Sequence, residues 1–141
     1  MKKNAFTLVE LMLVVVIIGV LVAMVVPRLT GRTKQAREVT ARADIEANIP
    51  LALDLYEVDN GFFPTTEQGL AALLTKPSSS PVPPNWNGPY LKKMPKDSWG
   101  HDYVYVSPGN HHKDDYDLYS YGPNGVEGGG DDITNWEKTP E

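Results

Sequence analysis

The sequence predicts an α+β protein in which a long N-terminal helix, half transmembrane and half amphipathic, packs on a small antiparallel β-sheet with long ordered loops. Three observations carry this expectation. An unbroken apolar run opens the chain, apolar residues then recur at steps of three and four, and two short C-terminal stretches alternate their side chains as half-buried strands do. The chain's 141 residues suffice for one compact domain plus an appendage.

The apolar run extends from Phe6 to Val26, 21 residues with one ionisable side chain. As a helix it would cover about 31 Å, the thickness of a bilayer core. A cleaved secretory signal peptide is a poor match, because the run exceeds the usual h-region and no A-x-A pattern closes it: Ala23 is flanked by Val22 and Met24. A plain signal anchor accounts for the length but not for Glu10. A carboxylate inside an apolar run costs several kcal/mol unless paired, so Glu10 marks a functional position with a specific partner. Charge alone leaves orientation open. Arg28, Arg32, Lys34 and Arg37 follow the span while Lys2, Lys3 and the amino terminus precede it, and the positive-inside rule by itself would place the distal domain in the cytoplasm.

Pro27 removes one helical hydrogen bond and is expected to kink the helix or melt it locally, and Gly31 adds flexibility. Beyond it, Ala36, Val39, Ala43 and Ala47 line one face, and Ile45, Ile49, Leu53 and Tyr56 continue on an adjoining one. Arg37, Glu38, Arg42, Asp44, Glu46, Asp54 and Glu57 occupy much of the remainder as a solvated face. Pro50 predicts a bend rather than an end, since the apolar period runs on through Leu55. Asn60-Gly61 supplies the stop, with glycine in the left-handed position.

In the distal half, Thr65 and Gln68 have the spacing of a capping box, followed by a short helix through Leu70, Ala71, Leu73 and Leu74 that Lys76-Pro77 ends. The stretch SSSPVPPNWNGP reads as an ordered loop anchored by Trp86 or as a plain linker. DYVYVS and YDLYSY then form a β-hairpin with PGNHHKDD as its long tip. The tail is Gly-rich and acidic until Ile133 and Trp136, which read as apolar pins.

Composition narrows function. The formal net charge is −5, with 13 basic residues against 18 acidic, and no basic surface of the kind that binds phosphate stands out, so a nucleic-acid role is not expected. Without cysteine there is no thiol nucleophile, thiolate metal site or disulfide framework. A metal hydrolase could draw on His101, His111, His112, Asp114 and Asp115, but no H-E-x-x-H spacing exists and adjacent histidines on a hairpin tip usually point apart. No serine occupies a nucleophile elbow, and Gly128 to Gly130 lack the Lys and Ser or Thr of a P-loop. The expectation is a structural protein, not an enzyme.

The residues KNAFTLVE resemble the N-terminal signature of type IV pilins and pseudopilins: a basic leader, a cut before Phe, and a Glu fifth in the mature chain. Lys2 and Lys3 match the leader, Phe6 the new N-terminus and Glu10 that Glu, while Ala5 replaces the family's usual Gly. From Tyr56 to Trp136, the segments YEVDNGFFPTTEQGLAAL, NWNGPYLKKMPKDSWGHDYVYVSPG and DYDLYSYGPNGVEGGGDDITNW resemble the major pseudopilins of type II secretion systems. The resemblance implies a type IV pilin-like fold in four segments: a leader over residues 1–5, an assembly span over 6–27, a stem over 28–61 and a globular domain over 62–141. It implies cleavage between Ala5 and Phe6 by a prepilin peptidase and N-methylation of Phe6. The cost of a lone charge in hydrocarbon adds the expectation that Glu10 pairs with the Phe6 amino group of a neighbouring copy, the alternative being that Glu10 caps or snorkels within its own chain. The resemblance also implies a bacterial inner-membrane, single-pass protein with a periplasmic C-terminal domain. Such a subunit polymerises into a pseudopilus, with minor pseudopilins and an inner-membrane secretion platform as partners, and drives export of folded proteins. A major type IV pilin would share anchor and stem but commonly closes a C-terminal loop with a disulfide; a competence pseudopilin fits the acidic distal domain poorly. Finally, the resemblance implies a calcium site with side chains of Asn124, Asp131 and Asp132 and backbone oxygens of Tyr121 and Val126 as ligands. Asn124 replaces the family's usual Asp, so the site carries one negative charge fewer. Composition alone favours a solvated acidic turn around Asn124-Gly125, and it is the resemblance that reverses that reading.

Overall fold

The computed structural model describes residues 6–136. The leader, and with it the Ala5 side of the expected cleavage position, lies outside the described residues. Helix α1 runs from Leu8 to Ala43. It passes through Pro27 and Gly31 as continuous helix, so of the two expected outcomes, a kink or local melting, the melting does not occur. Proline costs one hydrogen bond while its fixed φ is helical, so the helix can run on through it. The chain divides into two compact units, one ending at Ala36 and the other beginning at Arg37.

In the first unit, the 18 residues Leu8–Val25 have a mean hydropathy of 3.1 and none of that stretch is buried by the rest of the chain. Their apolar side chains therefore need a cover that one chain does not supply.

In the second unit, a π-helical turn over Asp44–Asn48 separates α1 from α2, which spans Ile49–Asn60 with Pro50 in its first turn. Proline at position 50 cannot donate to the carbonyl of Glu46 and would collide with it in a regular α-helix. The wider turn before it accommodates both problems, which is the physical form of the expected interruption. Gly61 closes α2 at φ 83°, its amide donating to the Glu57 carbonyl at 2.6 Å.

The core side of the stem is Ala41, Ile45, Ile49, Ala52, Leu53 and Tyr56, all buried. The face with Ile45, Ile49, Leu53 and Tyr56 is thus as read from the periodicity. The other face is not core: Ala36, Val39, Ala43 and Ala47 are exposed. They continue at helical spacing into Leu51, Leu55 and Val58, which are also exposed, Val58 by 80%. The stem therefore carries two apolar faces, and the small domain covers one.

Strands β1 (Val104–Val106), β2 (Asp117–Ser120) and β3 (Ile133–Thr134) form an antiparallel sheet in the order β1-β2-β3. Val104 pairs with Tyr119 and Val106 with Asp117, giving the expected hairpin; Ser120 pairs with Ile133 in a third strand that the Gly-rich tail concealed. Aromatic residues join the layers. Tyr56 meets Phe62 and Tyr90 edge-on at 6.2 and 5.6 Å, and Phe63 meets Tyr116 at 5.0 Å. Thr65 and Gln68 make the reciprocal capping bonds at 3.2 and 3.3 Å, and the turn they open becomes a single 3₁₀ stretch over Leu70–Leu73. Trp86 donates its indole N–H to the Ala72 carbonyl at 2.9 Å, so the Pro-rich stretch is an ordered loop pinned by that side chain.

The hairpin tip is held by a charge the sequence reading left unassigned. Asp117, 1% exposed, accepts the amides of Asn110, His111 and His112 at 2.7, 2.9 and 3.1 Å. The Nδ1 atoms of His111 and His112 also lie 3.0 and 3.3 Å from its oxygens, so the adjacent histidines converge on one carboxylate instead of pointing apart. The tip curls back over Asp117, and Gly109 permits it: a Cβ there would lie 2.5 Å from Asp117 Oδ1. Burial by itself would raise the Asp117 carboxyl, but the bonds from His111, His112 and Asn110 outweigh it and hold it below the ordinary carboxylate value. Because the folded value is depressed, this stabilisation is complete above the unfolded value of about 4 and is lost as pH falls through the folded value. Asp117→Asn should cost about 2–3 kcal/mol at neutral pH and flatten the acid limb of the stability profile. Urea melts of the full chain in detergent at pH 7 and pH 3 check this, and an unchanged acid limb would refute it.

Candidate functional site

The N-terminal end of α1 is built around Glu10. Its Oε2 accepts the Thr7 amide at 2.9 Å and the Thr7 hydroxyl at 3.0 Å, and its own amide donates to Thr7 Oγ1 at 3.2 Å. This is a capping box at the start of an apolar helix, and within one chain it gives the carboxylate partners from its own first turn. These polar groups sit next to Phe6, which is exposed. Phe6 and Glu10 are thus at the same helix end, and within one chain Glu10 takes the capping role that was the alternative to pairing with another copy.

The second region is the loop from Tyr121 to Asp132. A 3₁₀ turn over Gly122–Asn124 opens it, capped by Gly125 at φ 68°. Asn124 Nδ2 donates to Asp131 Oδ1 at 2.7 Å, Asn124 Oδ1 accepts the Val126 amide at 2.8 Å, and Asp132 Oδ2 accepts the Gly128 amide at 2.8 Å. Three of the expected ligand residues, Asn124, Asp131 and Asp132, are therefore brought into one loop with bonds across it. Glycine is required twice in this arrangement. A Cβ on Gly122 would collide with the Asp131 carbonyl, and one on Gly129 would lie 3.0 Å from Asn124 Nδ2 and 3.1 Å from Asp131 Oδ1. Gly129 thus forms the floor beneath the Asn124 and Asp131 side chains.

The donor set is two carboxylates, one carboxamide and the nearby peptide oxygens, all hard ligands. It fits calcium, which takes oxygen and tolerates irregular coordination, and does not suit a transition metal. In the chain as it stands, the Asn124 NH₂ group faces Asp131 and supplies the positive partial charge a cation would supply. Tyr121 and Val126 bracket this turn, and they would contribute backbone oxygens only.

Among the described residues, no three His, Cys, Asp or Glu side chains converge as a metal-binding group. The hydrolase constellation is accordingly split. His111 and His112 serve Asp117, whereas His101 donates its amide to Asp97 Oδ1 at 2.8 Å. Sequence reasoning passed over Asp97, Asp117 and Ser120, all buried. The signal for Asp117 was an acid inside the alternating YDLYSY strand, where an apolar residue is expected; Asp97 and Ser120 gave none.

A helix long and apolar enough to cross a membrane, capped by Thr7 and Glu10, an amphipathic stem and a small sheet with long pinned loops are the features of a pilin-like subunit. The family comparisons are more specific. Residues 28–136 match the model for type II secretion system (T2SS) protein G, and residues 1–26 match the prokaryotic N-terminal methylation motif. The chain is 50% identical over 140 residues to the type II secretion system core protein G of Pseudomonas aeruginosa, covering 96% of each. It is 49% identical to that of Vibrio cholerae, covering 96% of this chain and 92% of the relative. The crystal structure of the major pseudopilin from the type 2 secretion system of enterohaemorrhagic Escherichia coli superposes with a TM-score of 0.67 at 42% identity, covering 79% of this chain and 96% of that one. The chain belongs to the type II secretion system protein G family, the major pseudopilins, whose members are structural subunits.

Proposed function

We propose that this chain is cut between Ala5 and Phe6 by a prepilin peptidase, N-methylated on Phe6, and polymerised from the inner membrane into a periplasmic pseudopilus. The observation that carries the reading is the apolar surface one chain leaves bare: the whole Leu8–Val25 span, and the stem stripe of Val39, Leu51, Leu55 and Val58. Lipid covers the span before assembly, and other copies of the chain cover both surfaces after it. Minor pseudopilins and the inner-membrane platform are the further partners, the span crosses the membrane once, and the globular domain works in the periplasm.

Glu10 supplies the register. In the single chain it is satisfied by Thr7; in the filament it turns to the Phe6 amino group of the next copy, so that both charges are compensated only in the correct stagger. Glu10→Gln and Glu10→Ala should leave membrane insertion intact and abolish filaments. Intact masses of the membrane-bound variants should correspond to chains beginning at Phe6. Normal filaments from both variants would defeat the pairing, and a mass retaining Met1 to Ala5 would defeat the processing.

Calcium belongs to the same reading. Asn124, Asp131 and Asp132, with backbone oxygens of Tyr121 and Val126, would hold one ion, replacing the Asn124–Asp131 bond by a full charge between the carboxylates. The ion's chemistry is that of a cross-link between oxygen ligands, and the chain supplies the rest: Gly122 and Gly129 keep the loop's interior clear, and Ile133 and Trp136 anchor its far end. A cation bound only by the folded form stabilises by mass action, about 2.7 kcal/mol at a hundredfold excess over its dissociation constant. The full chain in detergent should therefore melt higher in calcium than in chelator, and Asp131→Ala with Asp132→Ala should erase the difference. Equal melting of the parent chain in the two buffers would leave the loop as a solvated acidic turn.

A further inference from the structure

We propose that Asp97 is a positioning residue for the cation loop, holding both ends of the turn between Tyr121 and Gly125 at once. The inference rests on the calcium reading above. The Asp97 side chain is 0% exposed, although it lies in a tight turn far from the loop in sequence. Its Oδ1 accepts the amides of Trp99 and His101 at 3.0 and 2.8 Å, and its Oδ2 accepts the Ser120 hydroxyl at 2.6 Å.

Two arms lead from this carboxylate to the two ends of the turn, and the His101 Nδ1 atom also lies 3.5 Å from Oδ2. Ser120, fully buried at the end of β2, accepts the Gly122 amide at 3.0 Å, so the first arm runs from Asp97 through Ser120 to Gly122. The second arm runs through His101, whose ring lies against Gly125: a Cβ there would be 3.0 Å from both Cε1 and Nε2. Gly122 and Gly125 are joined by their own bond, Gly125 N–H to Gly122 O at 3.3 Å, and Asn124 lies between them. Tyr121 is the residue between Ser120 and Gly122. One carboxylate therefore sets where the Tyr121 carbonyl and the Asn124 side chain enter the loop.

The charge itself has a reason. A turn of this kind could be closed by a neutral side chain at lower desolvation cost, and a buried carboxylate is retained only where its acceptor capacity is used. Both Asp97 oxygens accept here. With Asn at this position one of the two atoms would be a donor, the Ser120 hydroxyl proton would lose its acceptor, and the arm to Gly122 would slacken. Outer contacts that orient ligands in this way are worth about 10–100-fold in metal affinity.

Calcium titration calorimetry on the full chain in detergent tests this, run on the parent chain, Asp97→Asn and Ser120→Ala, with melting in chelator as the structural baseline. The expected result is a dissociation constant raised about 10–100-fold by Asp97→Asn and in the same direction by Ser120→Ala. The calcium-induced rise in melting temperature should shrink more than the chelator baseline falls. Should Asp97→Asn fail to fold, Ser120→Ala, which removes one arm only, decides the question. Unchanged calcium affinity in the folded variants overturns the positioning role while leaving the calcium reading intact. A parent chain that does not bind calcium overturns both.

Discussion

The rest of the molecule follows from an apolar surface that one chain leaves uncovered. Leu8–Val25 is bare, and along the stem a second apolar stripe remains exposed after the small domain has taken the first. On an insertion scale of roughly 0.3–0.6 kcal/mol per Leu, Ile or Val, the span gains roughly 4–8 kcal/mol in lipid, more than the roughly 3 kcal/mol a central carboxylate costs. Membrane insertion is thus favourable with Glu10 present. The capping box with Thr7 lowers the cost further by placing the charge at a helix N-terminus among donors. What lipid does not provide is a reason for the stem stripe, which lies on the chain beyond the span. A second copy with the same stripe does provide one.

The domain built on that stem has little regular structure and compensates with specific polar anchors. Its sheet has three short strands, the last of two residues. Buried Asp117 organises the hairpin tip, buried Asp97 organises the turn before β1, and Trp86 pins the Pro-rich loop. Each anchor satisfies backbone amides that a longer strand or helix would have paired internally. Long loops are ordered here because their donors converge on a few side-chain and carbonyl acceptors.

Much of this was legible in the residues. The span, the Ile45–Ile49–Leu53–Tyr56 face, the Gly61 cap, the Thr65–Gln68 box and the hairpin all rest on local periodicity or local chemistry, and the structure has each of them. Features that depend on distant partners were not legible. Nothing in the order of residues says that Ser120 meets Asp97, or that the Ile133–Thr134 pair closes the sheet after a glycine run. Periodicity likewise found both apolar stem faces but could not say which one the domain covers. For the C-terminal loop, the acidic and glycine residues were visible, but a solvated turn and a cation site share that composition, and the approach of Asn124 to Asp131 above Gly129 was not legible in it.

The claim that copies of the chain cover the stem stripe can be measured directly, because the protein contains no cysteine of its own. Single cysteines at Val39, Leu51, Leu55 and Val58, with Glu38 as a solvated-face control, can be labelled with a membrane-impermeant maleimide in isolated filaments and in detergent-dispersed monomers. Stripe positions should react rapidly in the monomer and be protected in the filament, while the control reacts alike in both. Equal labelling of the stripe in the two states would contradict it.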